Sequence, residues 1–182
     1  SRHIDPVEEG VDIAIQLGRP QDSSLVARPL LLSPRQLFAS PAYLAEFGEP
    51  KRPEDLSRHR CIQTLIDEGR KWQLVDPCVS VPVPHAVTVN NITFAREAAA
   101  AGGGIINVPS FIAQPLVEEG RLCRVLADCV LPSTQLYALY PSRRFQSMKV
   151  KTFIDYLLEK LEQRVKDRVE TTDDPLVKLP TT

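Results

Sequence analysis

Along most of the chain the apolar positions fall in short runs, cut apart by proline, glycine and small polar residues. That rhythm predicts many short elements with firm corners. Residues 5–10 read as a short helix, with Asp5 as N-cap, Pro6 at the first helical position and Gly10 as terminator. Residues 12–17 are mostly apolar and are closed by Gly18, Arg19 and Pro20, which predicts a buried strand emptying into a loop. Gln21 to Ser24 is turn chemistry, Leu25 to Leu32 is extended with Pro29 inside it, and Arg35 to Ser40 is another strand. Pro41 to Phe47 predicts a helix ended by Gly48, and Pro53 to Leu56 a single helical turn. Residues 61–65, 71–75, 78–83 and 86–89 are strand candidates, with Asp67-Glu68-Gly69 as a hairpin turn joining the first two.

The middle of the chain alternates more clearly. Asn90 and Asn91 offer a cap, residues 92–101 form the best local helix, Gly102 to Gly104 stop it, and Ile105 to Val108 is a buried strand. Strand, helix, strand with tight joints is the pattern of a right-handed parallel crossover. Pro109 and Ser110 open another helical stretch that ends at Gly120, with Pro115 expected to kink or split it. Residues 122–126 and 135–140 are strands. Ser147 caps a final helix whose Val150, Phe153, Ile154, Leu157, Leu158 and Leu161 recur at helical spacing and must cover a sheet. Beyond about Gln163 the chain turns polar, and a loosely held tail is expected.

Composition narrows the function classes. The chain has 182 residues, of which 43% are hydrophobic, enough for a real core of one domain or two small lobes. Its formal net charge is −1, from 22 basic and 23 acidic residues, so it carries no strong positive field for nucleic acid. No apolar run is long enough for a bilayer span, and the start lacks the apolar segment of a secretory signal. The cysteines at 61, 78, 123 and 129 have no C-x-x-C spacing and read as free thiols in a reducing compartment. No metal or cofactor motif stands out. Gly102 to Gly104 follows a helix and lacks the G-x-x-x-x-G-K-[ST] pattern of a phosphate loop. The histidines at 3, 59 and 85 have no nucleophile motif beside them, and Glu8-Glu9 and Glu118-Glu119 read as solvated helix-end charge.

Several stretches carry a resemblance. Asp5 to Gly18 reads D-P-V-E-E-G-V-D-I-A-I-Q-L-G, Asp22 to Arg28 reads D-S-S-L-V-A-R, and Phe38 to Leu44 reads F-A-S-P-A-Y-L. Ala99 to Pro109 reads A-A-A-G-G-G-I-I-N-V-P, and Leu136 to Arg143 reads L-Y-A-L-Y-P-S-R. In this order, with the terminal helix from Lys149 to Leu161, they resemble the effector-binding domain of LysR-type transcriptional regulators. The resemblance covers residues 1 to about 163. It implies an α/β, two-lobed, type 2 periplasmic-binding-protein-like fold with the first lobe incomplete. Residues 1–34 and 140–163 would form the partial first lobe, 35–139 the second, and 164–182 a flexible tail.

The family's winged helix-turn-helix, linker helix and opening strand-helix-strand have no counterpart in this sequence. Met148 is the sole methionine, and the segment order favours a piece of a longer protein over a processed start at Ser1. The resemblance further implies a non-enzymatic, cytoplasmic, bacterial sensor. A small anionic metabolite bound between the lobes would control DNA binding by the missing head, with no cofactor and no membrane. DNA would be touched only through the absent N-terminal domain. The full-length protein would be a homo-oligomer, and the missing first-lobe helix leaves dimerisation of this chain doubtful. Two rivals stay open: a transporter's solute-binding protein of the same architecture, and a small α/β enzyme.

The candidate ligand residues follow from where helices start. Unpaired N–H groups and the positive dipole end at Asn90/Asn91 and at Pro109/Ser110 favour a carboxylate or similar anion. The plainer reading is that Asn91 and Ser110 are ordinary helix caps. Gly18 and Arg19 follow a buried strand, and Arg19 would clamp an anion in its fork or else sit in a solvated loop. Phe38, Ala39 and Ser40 are placed at the lobe crossing, where they would line the cleft or simply pack. Val108 and Phe111 would supply an apolar wall or belong to the core.

Overall fold

In a computed structural model of the protein, residues 10–18, 20, 25–64, 71–76, 78–83, 86–141 and 148–169 are described. They sort into two compact units, one from residues within 34–133 and the other from residues within 2–33 and 134–182.

The first unit is built on a five-stranded sheet. Its strands are β3 (Arg35–Ala39), β4 (Cys61–Thr64), β7 (Ala86–Val89), β8 (Ile105–Pro109) and β9 (Cys123–Val125), in the order β7-β4-β8-β3-β9. β4 is parallel to both β7 and β8, while β3 runs antiparallel to β8 and β9. Every residue of β4 and β8 is buried, as suits central strands covered on both faces. Helices α2 (Ile92–Ala100) and α3 (Ser110–Glu118) lie on one face over Phe38, Ile62, Ile106 and Val108. On the other face Leu37, Cys61 and Ile105 pack with Tyr43 of α1 (Pro41–Phe47) and Leu56 of a 3₁₀ turn (Pro53–Arg58). Trp72 and Val81 join them from the antiparallel ribbon β5 (Lys71–Leu74) and β6 (Val79–Pro82).

This arrangement corrects one expectation. β4 and β5 do not form a hairpin: β4 sits inside the large sheet, and β5 pairs with β6. Burial supplies the reason. β4 is buried at every residue, whereas β5 alternates exposed and buried, so it suits a ribbon laid on the core by one face. The proposed turn at residues 67–69 lies outside the described residues. The crossover reading holds in a modified form, since β7 and β8 run parallel with β4 between them. Pro115 does not split α3, which continues through it. Proline removes one backbone hydrogen bond, and the burial of Ala113 and Leu116 to either side holds the turn in place.

The second unit has a three-stranded antiparallel sheet, β1 (Ala14–Leu17), β10 (Thr134–Pro141) and β2 (Leu25–Ser33), in the order β1-β10-β2. β10 pairs along its whole length here, so the second boundary falls at 133/134 and not at 139/140. A register shift between Leu136 and Tyr137 stands opposite Pro29, which has no N–H to give the ladder. Helix α4 (Met148–Val169) packs on β2. Val150 and Ile154 are buried and Leu157, Leu158 and Leu161 half-buried, but Phe153 is exposed, which corrects its place in the covered stripe. It shares an open apolar groove with Met148 and Tyr156. The helix continues to Val169, beyond the expected start of the tail at residue 164. The helix proposed at 5–10, the cap at Ser147 and residues 170–182 fall largely or wholly outside the described residues.

Candidate functional site

Chain direction collects one set of residues at one edge of the first unit. The parallel strands β4, β7 and β8 end there, at Thr64, Val89 and Pro109, and antiparallel β3 begins there at Arg35. The edge beyond the carboxyl ends of parallel strands is where open α/β sheets hold ligands. Gln36, Gln63, Thr64, Asn107 and Ser110 are all buried at it. Burying an amide or hydroxyl is costly unless it is hydrogen-bonded; Gln36, Thr64 and Ser110 each have an interaction partner within the fold, whereas Gln63 Nε2 has no hydrogen-bond partner.

Strand alternation divides the edge between the two faces of the sheet. Arg35, Gln63 and Asn107 share the face of Leu37, Cys61 and Ile105, while Gln36, Thr64 and Val108 share the face covered by α2 and α3. On the first face Arg35 grips Asn107 twice. Its Nε donates to the Asn107 Oδ1 at 3.0 Å and a terminal guanidinium nitrogen donates to the Asn107 carbonyl at 2.8 Å. One step beyond the paired Ile62 and Ile106, Gln63 and Asn107 stand side by side on neighbouring strands.

The two helix starts differ. Asn91 is an ordinary N-cap: its Oδ1 accepts from the Phe94 N–H at 2.9 Å, and the residue is exposed, as is Asn90. At α3 the N-cap is Pro109, which makes no side-chain cap hydrogen bond. Ser110 is the first helical residue, buried, with its N–H donating to the Pro34 carbonyl at 2.9 Å. Pro109, at the N-cap, thus gives the positive dipole end of α3 no side-chain acceptor, in contrast to Asn91 on α2.

The remaining expected residues scatter. Ala39 and Ser40 lie at the opposite end of the sheet, because β3 runs antiparallel to β8 with Arg35 opposite Pro109 and Phe38 opposite Ile106. Ala39 is about 13 Å along the strand from Arg35, at ~3.3 Å per residue. Ser40 caps α1, its Oγ accepting from the Tyr43 N–H at 3.2 Å. Ala39 and Ser40, expected at the lobe crossing, therefore stand at the edge of this sheet away from Ser110, because β3 runs against β8. Val108 is fully buried in the core under α2 and α3, and Phe111 is half-buried. Gly18 belongs to the second unit, where its N–H donates to the Gln135 carbonyl at 2.9 Å; Arg19 lies outside the described residues. The sequence reading passed over Arg35, Gln36, Gln63, Thr64 and Asn107. The available signal was an amide or hydroxyl set inside a short apolar strand, as in Cys61-Ile62-Gln63-Thr64 and Ile105-Ile106-Asn107-Val108.

A second polar cluster lies on the face under α1. Tyr43 Oη is 3.0 Å from His59 Nδ1 and accepts from the Arg60 N–H at 3.0 Å. The Arg60 guanidinium stands 4.3 Å from the Phe47 ring centre, and the Phe47 and Tyr43 rings stack at 4.8 Å. Burial holds the His59 imidazole below its ordinary value, against the opposing pull of Asp55. Burial also pushes the Cys61 thiol up to about 12, so it stays protonated and a poor nucleophile at neutral pH. Among the described residues, no group of three or more His, Cys, Asp or Glu is placed to hold a metal ion, and no helix is long and apolar enough to cross a membrane.

The sequence model of the LysR substrate binding domain matches residues 1–162. The chain belongs to the LysR substrate-binding domain family. Relatives of this LysR domain include an HTH-type transcriptional regulator of Xanthomonas campestris, 31% identical over 165 residues, which are 87% of this chain and 48% of the relative. The HTH-type transcriptional regulator CrgA of Neisseria meningitidis serogroup B is 32% identical over 164 residues, 87% of this chain and 54% of the relative. The LysR domain thus spans about half the length of the curated relatives it matches. The solved regulatory domain of CrgA superposes with a TM-score of 0.76 at 28% identity, covering 85% of this chain and 78% of that one. The fold is the type 2 periplasmic-binding-like fold of LysR regulatory domains. The solute-binding-protein rival is set aside, since these relatives are transcriptional regulators and not transporter components.

Proposed function

We propose that this chain is the effector-binding part of a LysR-type transcription regulator and that a small anionic molecule binds at the carboxyl edge of the five-stranded sheet. The observation that carries the reading is the gathering of buried polar side chains, Gln36, Gln63, Thr64, Asn107 and Ser110, where β3, β4, β8 and α3 meet, with Gln63 Nε2 among them left without a hydrogen-bond partner. The α3 N-terminus without a side-chain cap supports negative charge on the ligand. Ligand occupancy would bias DNA binding by a winged helix-turn-helix head in a cytoplasmic homo-oligomer. This chain would do no chemistry of its own: the family relatives are regulators, and the buried Cys61 thiol is held protonated.

The test is calorimetric titration of the 182-residue chain with small carboxylates and inorganic phosphate, with gel-shift assays on the full-length regulator. Saturable binding that shifts the regulator's affinity for its operator supports the reading. Failure of every anion to bind or to raise the melting temperature would refute it.

A further inference from the structure

Native proteins pair nearly all their buried polar atoms, so those left over point to a partner that is missing. Among the described residues two buried side-chain polar atoms have no hydrogen-bond partner: Gln63 Nε2 and Trp72 Nε1. Both residues are only 1% exposed. Both atoms are donors. Both lie on one face of the five-stranded sheet, since Trp72 packs with Cys61 and Ile105, and Gln63 shares their face.

A third donor joins them. Asn107 follows Ile106 on β8 as Gln63 follows Ile62 on β4, so the two lie one step past the last paired residues and on one face of the sheet. Arg35 occupies the Asn107 Oδ1 through its Nε–H, at 3.0 Å. That contact fixes the rotation of the amide and leaves Nδ2, the donating arm, for another partner. Arg35 thus acts as a positioning residue and sets which end of Asn107 a ligand meets.

Resting on the reading that this edge is the ligand site, we propose that the paired amides of Gln63 and Asn107 form a carboxylate-reading subsite, with Gln63 Nε2 and Asn107 Nδ2 donating to the two ligand oxygens. Two side-by-side N–H donors match the two acceptor oxygens of a carboxylate. A primary amide offers one acceptor and would set its own NH2 against a donor. Arg35, held behind Asn107, adds positive charge beside the subsite. The indole N–H of Trp72 on the same face gives an internal reporter, because Trp72 is the chain's sole tryptophan.

The experiment uses the 182-residue chain with acetate, butyrate, succinate and benzoate, each against its primary amide, read by calorimetry and Trp72 fluorescence. Three variants separate the outcomes. Gln63→Met keeps the volume and removes the orphan donor. Asn107→Asp keeps the contact to Arg35 but turns the donating arm into an acceptor. Arg35→Lys keeps charge but loses the two-point grip.

The expected result has three parts. A carboxylate binds the wild type at least ~10-fold tighter than its amide, and both Gln63→Met and Asn107→Asp weaken it by ~10-fold or more. Arg35→Lys narrows the preference for carboxylate over amide, which loss of general stability would not do. Ligand-free Gln63→Met melts no lower than the wild type, because the replaced donor had no partner.

A fall of several degrees in that ligand-free melting temperature would show that Gln63 is satisfied within the fold, and would overturn the proposal. Equal binding of acid and amide, or wild-type affinity in Asn107→Asp, overturns the carboxylate subsite while leaving an effector site elsewhere on the edge. No binding by any probe, with inorganic phosphate also silent, overturns the subsite together with the reading it rests on.

Discussion

Replacing Gly104 by alanine probes how tightly the parallel core of the first unit is drawn together. Gly104 has φ +143°, a backbone conformation that L side chains rarely adopt. A Cβ placed there would lie 2.4 Å from the Arg60 carbonyl oxygen and 2.8 Å from its carbon. Neither atom is the free end of a side chain. The Arg60 carbonyl accepts from the Ile105 N–H at 2.8 Å, a bond that brings the start of β8 against the approach to β4. Relief therefore means moving the seam between the two central strands. Backbone strain contributes about 1–3 kcal/mol and the overpacked contact about 1–3 kcal/mol more. A total of about 2–6 kcal/mol is a large share of a domain's usual stability of about 5–15 kcal/mol. The assay is urea unfolding followed by Trp72 fluorescence, which reports on the first unit alone. Gly120→Ala is the control: its φ is +70°, and nothing lies within 4 Å of its added Cβ. The control should cost about 1 kcal/mol. Equal losses in the two variants would refute the steric argument, because φ alone would then account for both.

Three further outcomes follow from named contacts. Asn91→Ala removes the cap on α2 and should cost about 1 kcal/mol in the same unfolding assay; no loss would mean that the Phe94 N–H finds another acceptor. His59 titrates near its ordinary 6.5 in the unfolded chain but lower when folded, so the unfolded state takes up the proton first as pH falls. Stability should drop as pH falls below about 6.5, until the folded imidazole also protonates, and His59→Gln should flatten that slope in urea midpoints measured across the range. Cys61, with its thiol pushed up to about 12, should resist iodoacetamide in the native protein while exposed Cys78 is alkylated, as read by peptide mass spectrometry. Equal labelling of the two would contradict the burial of Cys61.

Local pattern made most of the elements legible. The helix Pro41–Phe47 and the strand Ala86–Val89 lie where proline, glycine and β-branched residues put them. So does the run from Asn91 through Gly104 to Pro109. Capping, chain stiffness and alternation act between near neighbours, so the sequence carries them directly. The family resemblance also lay in ordered local motifs, which survive without knowledge of contacts.

Other features waited for the tertiary structure because they depend on partners distant in sequence. Whether β4 pairs with β5 or with β7 and β8 is settled by burial of both its faces, not by a turn signal at residues 67–69. The direction of β3 sent Ala39 and Ser40 away from Ser110 and brought Arg35 to Asn107, across 72 positions of chain. Gln63 is one polar residue in a short strand; only the folded sheet shows its Nε2 as a buried donor without a hydrogen-bond partner. Sequence thus determined which segments become helix or strand, since those preferences are paid within a few residues. Strand order, direction and register, and with them the candidate site, were decided by non-local burial that no single segment encodes.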